Sequence, residues 1–330
     1  MAGPTILTGQ TLTAGIRSDF WNQFQSTTDG VLERLGDMMK LDVPSNKRTE
    51  IYGARRGMPY PEQWPQGDPI PQEGTDSVQI SVTNFQYGKR IAWHRNDRMD
   101  NLVGDLFGEA QLLGSHFASL PSRLFIEVLT ASANLLNAIP TCPDGQALYS
   151  TTSDGASADR FGVTSGNLLT GTGVTTTAQI QADFYSGLEQ FALFQDTKGQ
   201  PFYEPDVNNM SILIYAAVAD SKIFSESFNS HLVHSVVSAT GAAVSNVILN
   251  SGVPVEFRFT PRLATGDWYM FRKDAPVKAI FTQRREPLRE AVATEENSDS
   301  ARDTGNEYIQ FVERLGIGLL EPYATLKIDN

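Results

Sequence analysis

Histidine and cysteine, the residue types that most often build metal and nucleophile sites, are scarce in this chain. Among 330 residues there are four histidines and one cysteine. His231 and His234 are three positions apart, a spacing that would put both on one face of a helix as metal ligands. No carboxylate or third histidine has a useful spacing from them, which favours a polar loop. The single Cys142 excludes an internal disulfide framework and a cysteine-based metal site, and it fits a reducing compartment or a small apolar filler.

Motifs for binding nucleotides or activating a nucleophile are also missing. Gly171-Thr172-Gly173 lacks the third glycine and the preceding strand of a dinucleotide fingerprint. Neither a Gly-x-x-x-x-Gly-Lys-Ser/Thr loop nor a Gly-x-Ser-x-Gly elbow occurs. An acidic patch lacks the invariant glycine of a calcium loop, which favours a solvated charged face; it consists of Glu295, Glu296, Asp299 and Asp303. The sequence therefore predicts a protein that is not an enzyme, with no catalytic, cofactor-binding or metal-binding residue and no cofactor.

The charge balance bears on the class of partner. With 40% hydrophobic residues and 19% charged residues the chain should fold around a core, and its formal net charge is -12. This acidity argues against a protein that binds nucleic acid through phosphate contacts. Basic residues nevertheless cluster twice, at Lys47, Arg48, Arg55 and Arg56 and again at Lys89, Arg90, Arg95 and Arg98. No apolar run approaches a membrane span and the N-terminus lacks a signal-peptide pattern, so we expect a soluble chain that is not secreted by that route.

The N-terminal part of the chain has the periodicity of a helix. Over residues 14 to 41 apolar residues recur every three or four positions, and a polar stretch from Ser26 to Gly30 divides them, which predicts two short helices. Residues 43 to 74 differ, because they contain six prolines and few aliphatic residues. No regular core element is expected there. Such a segment is either a disordered linker or a long extended arm that is ordered by contacts with something else.

Two strong patterns follow this segment. Apolar residues alternate from Val78 to Val82, slip phase near Asn84 and alternate again up to Trp93, which predicts a strand with a bulge or turn at Asn84 or Gly88. From Leu102 to Leu135 apolar residues then step by three or four, which predicts one very long helix.

Proline interrupts this long helix. Pro121 removes one backbone donor, so we expect a kink there or a restart with Ser119 or Leu120 as the cap. The positions expected to be among the most buried are Phe117, Leu124 and Val128.

The second half of the chain is predicted to alternate between loops, helices and strands. The Gly-, Ser- and Thr-rich residues 139 to 177 predict a loop, and an amphipathic helix capped by Thr177 follows it. The further elements expected in chain order are a buried strand over 210 to 218, a helix up to 228, a hairpin joining 253–260 to 268–271 through a Gly-Asp turn, and strands at 277–281, 308–312 and 315–319.

Three stretches carry a resemblance to a known family. They are Val43-Pro44-Ser45-Asn46-Lys47 leading to Glu50-Ile51-Tyr52-Gly53, Cys142-Pro143-Asp144-Gly145-Gln146-Ala147-Leu148-Tyr149-Ser150, and Gly316-Ile317-Gly318-Leu319 before Pro322. Together with the order of elements, they make the chain resemble tailed-phage major capsid proteins of the Hong Kong 97-type fold. The likeness points most closely to the Mu-like phage major head subunit family.

This resemblance implies an α+β architecture with an N-terminal arm, an extended loop, a long spine helix, and peripheral and axial domains. The implied boundaries are 1–48 for the N-terminal arm, 49–90 for the extended loop, 91–177 for the peripheral domain with the spine helix at about 102–137, 178–270 for the axial domain, and 271–330 for C-terminal strands returning to both domains. Because the given sequence shows no long charged N-terminal extension of the kind that serves some relatives as an internal scaffold, we expect a separate scaffold or none. Lys89 has no crosslinking role assigned, because no acceptor residue is identified.

The function that the resemblance implies is self-assembly into the icosahedral shell that encloses a phage genome. The partners would be other copies of the chain in hexamers and pentamers, with portal, scaffold or decoration proteins as further partners, double-stranded DNA contacted only non-specifically, and no membrane. The chain would reside in the virion capsid after assembly in the bacterial host cytoplasm. Two alternatives stay open: an encapsulin-like nanocompartment shell that encloses enzyme cargo, and a soluble enzyme with an unrecognised site.

Overall fold

The structure is a computed structural model that describes residues 9–57, 61, 63–66, 69–70, 76–100, 105–152, 159–202, 210–229, 232–234, 243–245 and 252–330. Its helices are α1 (Gly9–Leu35), α2 (Arg95–Met99), α3 (Leu106–Ala118), α4 (Leu120–Thr130), α5 (Thr177–Leu193), α6 (Ser221–Asn229) and α7 (Asp299–Thr304). Its strands are β1 (Met39–Pro44), β2 (Thr49–Gly57), β3 (Asp76–Thr83), β4 (Phe85–His94), β5 (Leu168–Thr170), β6 (Ile212–Ala217), β7 (Leu232–His234), β8 (Ala243–Ser245), β9 (Val255–Thr260), β10 (Trp268–Arg272), β11 (Ile280–Ala293), β12 (Asn306–Leu319) and β13 (Thr325–Asp329).

The described strands form two larger sheets and two separate antiparallel pairs. The first sheet has the order β1-β11-β12-β4, and the second has the order β5-β13-β10-β6-β9. The separate two-stranded pairs are β2-β3 and β7-β8. Helices and sheets are therefore mixed along the chain, and the predicted α+β class is confirmed.

Three hydrophobic cores hold these layers together. The first lies around α4 and takes side chains from both sheets, including Leu124, Phe125 and Phe271. The second packs α5 and α6 against the second sheet, and the third joins α1 and α3 to β4 and β12. α4 therefore packs against side chains of both sheets.

The predicted long helix is two helices that end earlier than expected. Ser119 closes α3 and opens α4, and a proline stands in the first turn of α4, so the predicted restart is confirmed. The helix ends at Thr130 rather than at about residue 137, because Ala131 adopts a left-handed conformation with φ 52°. The Glu127 carboxylate then accepts the backbone N–H groups of Asn134, Leu135 and Leu136 at 2.9–3.0 Å and folds the chain back. Phe117, Leu124 and Val128 are 7%, 0% and 1% exposed, as predicted.

The two short helices predicted for the N-terminus are wrong. One helix, α1, runs unbroken from Gly9 to Leu35 through the polar stretch. Within that stretch Ser26 and Thr28 turn their hydroxyls back onto the carbonyl oxygens of Gln23 and Phe24, at 3.0 and 2.7 Å. Weak helix formers cost only a few tenths of a kcal/mol each, so packing of α1 against α3 outweighs them.

The predicted hairpin between residues 253–260 and 268–271 is also wrong. β9 and β10 both exist, but β6 lies between them, parallel to β9 and antiparallel to β10. Every residue of β6 is buried, so this strand takes an interior position and separates the two. The predicted pairing of β9 with β10 is therefore replaced by the pairing of each strand with β6, which is fully buried.

The terminal strands are longer than the sequence indicated. β11 and β12 are antiparallel from Ile280 opposite Leu319 to Ala293 opposite Tyr308. Register shifts at Glu286 interrupt the ladder and break the alternation that would reveal one long strand in the sequence.

Other local predictions hold. The phase slip at Asn84 marks the boundary between β3, which pairs with β2, and β4, which pairs with β12. β6, α6 and α5 lie where the sequence placed them, although the cap of α5 is Thr176 in a capping box with Gln179, one residue before the predicted Thr177. Residues 49–57 form a strand within the proline-rich segment, which the sequence did not indicate.

Replacing Gly114 with alanine is expected to destabilise the subunit by about 1–3 kcal/mol, because an added Cβ overpacks a close helix contact. A Cβ at this position of α3 would lie 2.5 Å from the Phe20 carbonyl oxygen of α1. Gly30→Ala, in α1 with open space around it, is the matched control and should stabilise by about 0.5–1 kcal/mol. Urea unfolding measures both changes, and equal effects of the two substitutions would contradict the close packing of α1 on α3.

Candidate functional site

The arm is defined here as the antiparallel pair of strands β2 and β3. Its strands pair from Thr49 opposite Thr83 to Ala54 opposite Val78. One face is partly buried, whereas Ile51 on the opposite face is 66% exposed. A two-stranded ribbon is marginally stable on its own, so the arm depends on the surface beneath it.

Asn84 fixes the arm root, which comprises residues 45–50 and 82–84. Its backbone N–H donates to the Arg48 carbonyl at 2.8 Å. Its side-chain amide donates to the Ser45 hydroxyl at 2.8 Å and to the Lys47 carbonyl at 2.9 Å. The side chain of Asn84 is buried, so these bonds tie the two ends of the arm together where water is excluded.

Glu50 closes the turn that begins the arm. Its carboxylate accepts the backbone N–H groups of Asn46 and Lys47, each at 2.9 Å, and these bonds lower the pKa of Glu50. Two residues further along β2, the Tyr52 hydroxyl donates to the Gln283 side chain at 2.8 Å, and burial raises the pKa of Tyr52. The first of the three family-like stretches is thus the turn that sets the arm on the first sheet.

The third of these stretches lies directly under the arm. A Cβ at Gly316 would stand 2.6 Å from the Thr83 carbonyl oxygen, and one at Gly318 would stand 2.5 Å from the Val82 side chain. Only glycine permits so close an approach of β12 to β3. The Gln283 amide, which donates to the Val82 carbonyl at 2.9 Å, adds a further tie.

The second stretch is organised by a buried arginine that sequence reasoning missed. Arg160 is 0% exposed, and its guanidinium donates twice to the Asp144 carboxylate, at 2.7 and 3.1 Å. It also donates to the Leu148 carbonyl at 2.9 Å and to the Asn167 side chain at 2.8 Å. Nearby, burial raises the pKa of Cys142 to about 12, which keeps this thiol protonated and unreactive.

Two of the three stretches meet beside the arm. A groove of about 480 Å³ has walls from β3, from the loop that contains Cys142 and from β12 at Ile317 to Leu319. The first stretch supports the same strand β3 through the arm root. The structure therefore brings the family-like sequences together as the surface on which the arm packs. Their contacts support the arm structurally and are not a set of reactive groups.

The structure places only some of the candidate chemical residues. His231 lies outside the described residues, and His234 is described only as backbone of β7. Gly171-Thr172-Gly173 does follow a strand, the short β5, so that part of the sequence interpretation is corrected. The donors that would hold a phosphate are already occupied, since Asp183 accepts from the Thr172 N–H at 3.0 Å and Asn330 from the Gly173 N–H at 2.7 Å.

The acidic patch is divided among ion pairs. Glu295 pairs with Arg95 and Asp299 pairs with Arg302, each at 3.1 Å. Within the part of the chain that the structure describes, no three metal-ligating side chains come together. The second basic cluster is likewise not a continuous surface, because Arg98 is buried.

The described elements form a Hong Kong 97-type capsid fold. Three solved capsids share it at 10–11% sequence identity: the capsid of the Cyanophage P-SCSP1u (TM-score 0.55, 89% of this chain and 87% of that chain), the capsid of an empty GTA particle (TM-score 0.52, 90% and 89%) and the capsid of the Myoviridae Phage XM1 (TM-score 0.51, 91% and 92%). Similarity at this level of identity establishes the fold.

Comparison of the sequence with known families and curated proteins found no relative. No protein-family model matches the chain, and no curated protein is significantly similar to it. Among the described residues, no helix combines the length and the apolar character needed to cross a membrane.

Proposed function

We propose that this chain is a major capsid protein of a tailed phage, which self-assembles into the icosahedral shell that encloses the genome. The observation that carries the proposal is the extent of the structural match, which covers 89% of this chain and 87% of the cyanophage capsid chain. The match takes in nearly all of both chains, so it rests on the whole order of elements rather than on one motif.

The arm supports this proposal on physical grounds. Its outer face exposes Ile51, and its two strands have no third strand beside them among the described residues. Open strand edges favour association with another chain. Identical copies in a closed shell supply such a neighbour at every position by symmetry.

The proposed roles of the segments follow the boundaries stated from the sequence. Residues 49–90 would be the extended loop, 91–177 the peripheral domain with its spine helix, and 178–270 the axial domain near the centre of a capsomer, while 1–48 and 271–330 would supply the N-terminal arm and the returning strands. The partners would be copies of the chain in hexamers and pentamers, together with portal, scaffold or decoration proteins. Membership of the Mu-like head subunit family is part of this proposal.

The same proposal covers the environment of the shell. A net charge of -12 would limit adhesion of packaged double-stranded DNA to the protein, so contacts with DNA would be non-specific. The chain would assemble in the bacterial host cytoplasm and reside in the virion, and it would have no catalytic activity.

Sedimentation of the purified chain, with Ile51→Asp as the test variant, examines this function. The unmodified chain is expected to sediment far faster than a 36.2 kDa subunit. Ile51→Asp should remain folded, because Ile51 is exposed, yet stay unassembled, because a charge then lies where a neighbour packs. Ile51→Val is the matched control and should assemble.

Each outcome of this experiment has a separate meaning. A wild-type chain that stays a monomer would contradict the capsid function. Normal assembly of Ile51→Asp would instead contradict the role of the outer face of the arm while leaving the shell intact.

A further inference from the structure

One arginine joins three strands beside the arm root. Arg284, on β11, donates through Nε to the Asp42 carboxylate of β1 at 2.9 Å and through Nη1 to the Glu313 carboxylate of β12 at 2.8 Å. Its carbonyl oxygen also accepts the Ser45 N–H at 3.2 Å, at the start of the arm root. The position of this arginine is therefore coupled to the first residues of the arm.

This arrangement provides a hydrogen-bond donor for only one of the two carboxylate oxygens of Glu313. Its side chain is 2% exposed, and its Oε1 atom has no hydrogen-bond partner among the described residues. Two carboxylates, Asp42 and Glu313, share the single guanidinium. A buried carboxylate with one unsatisfied oxygen is costly in its charged form, and a competing negative charge on the same arginine increases that cost.

The charged and titratable groups around Glu313 come from three strands and one helix. Burial raises the pKa of Glu313 to about 7, with the Asp42 charge acting in the same direction and Arg284 opposing it. Across the β4–β12 ladder, Tyr87 stands opposite Glu313. Burial raises the pKa of Tyr87 to about 12, and the charges of Glu127 on α4 and of Glu313 add to this rise, so Tyr87 stays neutral.

The strand that Arg284 holds is irregular at the point of contact. The register between β1 and β11 shifts between Lys40 and Val43, and Asp42 within this bulge has a left-handed φ of 52°. A non-glycine residue in that conformation is strained and persists only where its surroundings hold it. The contacts that hold it are the Asp42 N–H donated to Thr282 Oγ1 at 3.0 Å and the Asp42 carboxylate on Arg284.

We propose that Glu313 is a proton-operated latch for the arm root. When Glu313 is neutral, Arg284 binds Asp42 alone and holds the strained bulge of β1 firmly against β11. When Glu313 ionises, it draws Arg284 toward β12, so that β1 and the first residues of the arm are held less firmly. The latch belongs to the single subunit and does not rest on the proposed capsid function.

The direction of the pH dependence follows from linkage. The pKa of Glu313 rises from its ordinary 4.5 to about 7 on folding. The folded chain therefore binds more protons than the opened chain between these values, and the stability that protonation provides is present at low pH and lost as pH rises through about 7. For a pKa near 7, the free energy of local opening should fall enough between pH 6 and pH 8 to populate the open state about tenfold more.

Hydrogen exchange of the Asp42 and Ser45 amides in the full chain tests the latch. After correction for intrinsic exchange rates, their protection should be about tenfold lower at pH 8 than at pH 6. Glu313→Gln, which is permanently neutral and of similar size, should show the high protection at both pH values. The matched control is Glu286→Gln, which removes a one-third-exposed glutamate on β11 that pairs with Arg314 at 2.9 Å, and it should keep the wild-type pH dependence.

Two results would overturn the latch: wild-type protection that does not change between pH 6 and pH 8, or a Glu313→Gln chain that keeps the wild-type change. A second measurement needs no variant. Carboxyl ¹³C NMR of the glutamate-labelled wild-type chain should show Glu313 titrating with a midpoint near 7, and a midpoint near 4.5 would refute the proposal even if Glu313→Gln failed to fold.

Discussion

Glu307→Ala is expected to destabilise the subunit by about 3–5 kcal/mol, because it removes the nearer of the two carboxylates that pair with the buried Arg98. Glu307 is 0% exposed and accepts hydrogen bonds from the Trp93 indole at 2.7 Å and from the Arg98 Nε at 3.0 Å. The Glu295 N–H donates to the same carboxylate at 3.1 Å. Urea unfolding of the purified subunit measures the loss.

Glu290 provides a matched control with the same kinds of donor at the surface. It accepts from the Trp21 indole at 2.8 Å and pairs with Arg17 at 2.7 Å, but the Arg17 side chain is 60% exposed. Glu290→Ala should therefore cost about 1 kcal/mol, because water replaces the lost partner of Arg17. If the two substitutions cost the same, burial of the Glu307 network would not be the source of its stability.

Phe117→Ala is expected to cost about 3–5 kcal/mol, from lost burial and the cavity that remains. Phe117 is 7% exposed and lies in the core between α1, α3 and the first sheet, with its ring 6.0 Å from that of Phe20. A loss of this size is a large share of the stability of a typical domain, so the subunit should become insoluble or fail to assemble. Solubility and thermal unfolding report the effect.

The control for Phe117 lies on the same helix. Glu109 is exposed in the first turn of α3, and Glu109→Gln should change stability by less than about 0.5 kcal/mol. A Phe117→Ala chain that folds and assembles like the wild type, beside a Glu109→Gln chain that does not, would show that the buried face of α3 has been misassigned.

Local patterns allowed much of the fold to be predicted. The alternation around Asn84, the buried run in β6 and the helical spacing in α3 to α5 arise from the period of one element against one surface. Such signals are contained in short windows of sequence. The restart of the helix at Ser119 was predictable for the same reason, because Pro121 lies within the helix that it interrupts.

Contacts between distant residues could not be predicted in this way. Arg160 pairs with Asp144 within one loop region, but Glu307 meets Trp93 across 214 positions and Arg284 meets Asp42 across 242. No spacing rule links such residues, so the sequence did not show that these charged side chains are buried. The end of α4 was missed for a related reason, since the carboxylate of Glu127 stops the helix by binding the loop that follows it.

Competition between elements explains the remaining errors. β9 and β10 have the pattern of a hairpin, yet β6 displaces that pairing because it is fully buried. In α1, the polar residues from Ser26 to Gly30 suggest a break, yet the helix continues across them. In both cases a local preference worth less than about 1 kcal/mol per residue yielded to packing of whole elements.

Electron microscopy of the purified full-length chain tests the central claim most directly. A major capsid protein should appear as closed, hollow particles of regular size whose surface is built from clusters of five and six copies. Packaged nucleic acid rather than an enzyme cargo, in particles from the natural source, would separate a phage head from a nanocompartment. Fields that contain only dispersed 36.2 kDa subunits or small oligomers, at every salt and protein concentration tried, would contradict the assignment of this chain as a shell protein.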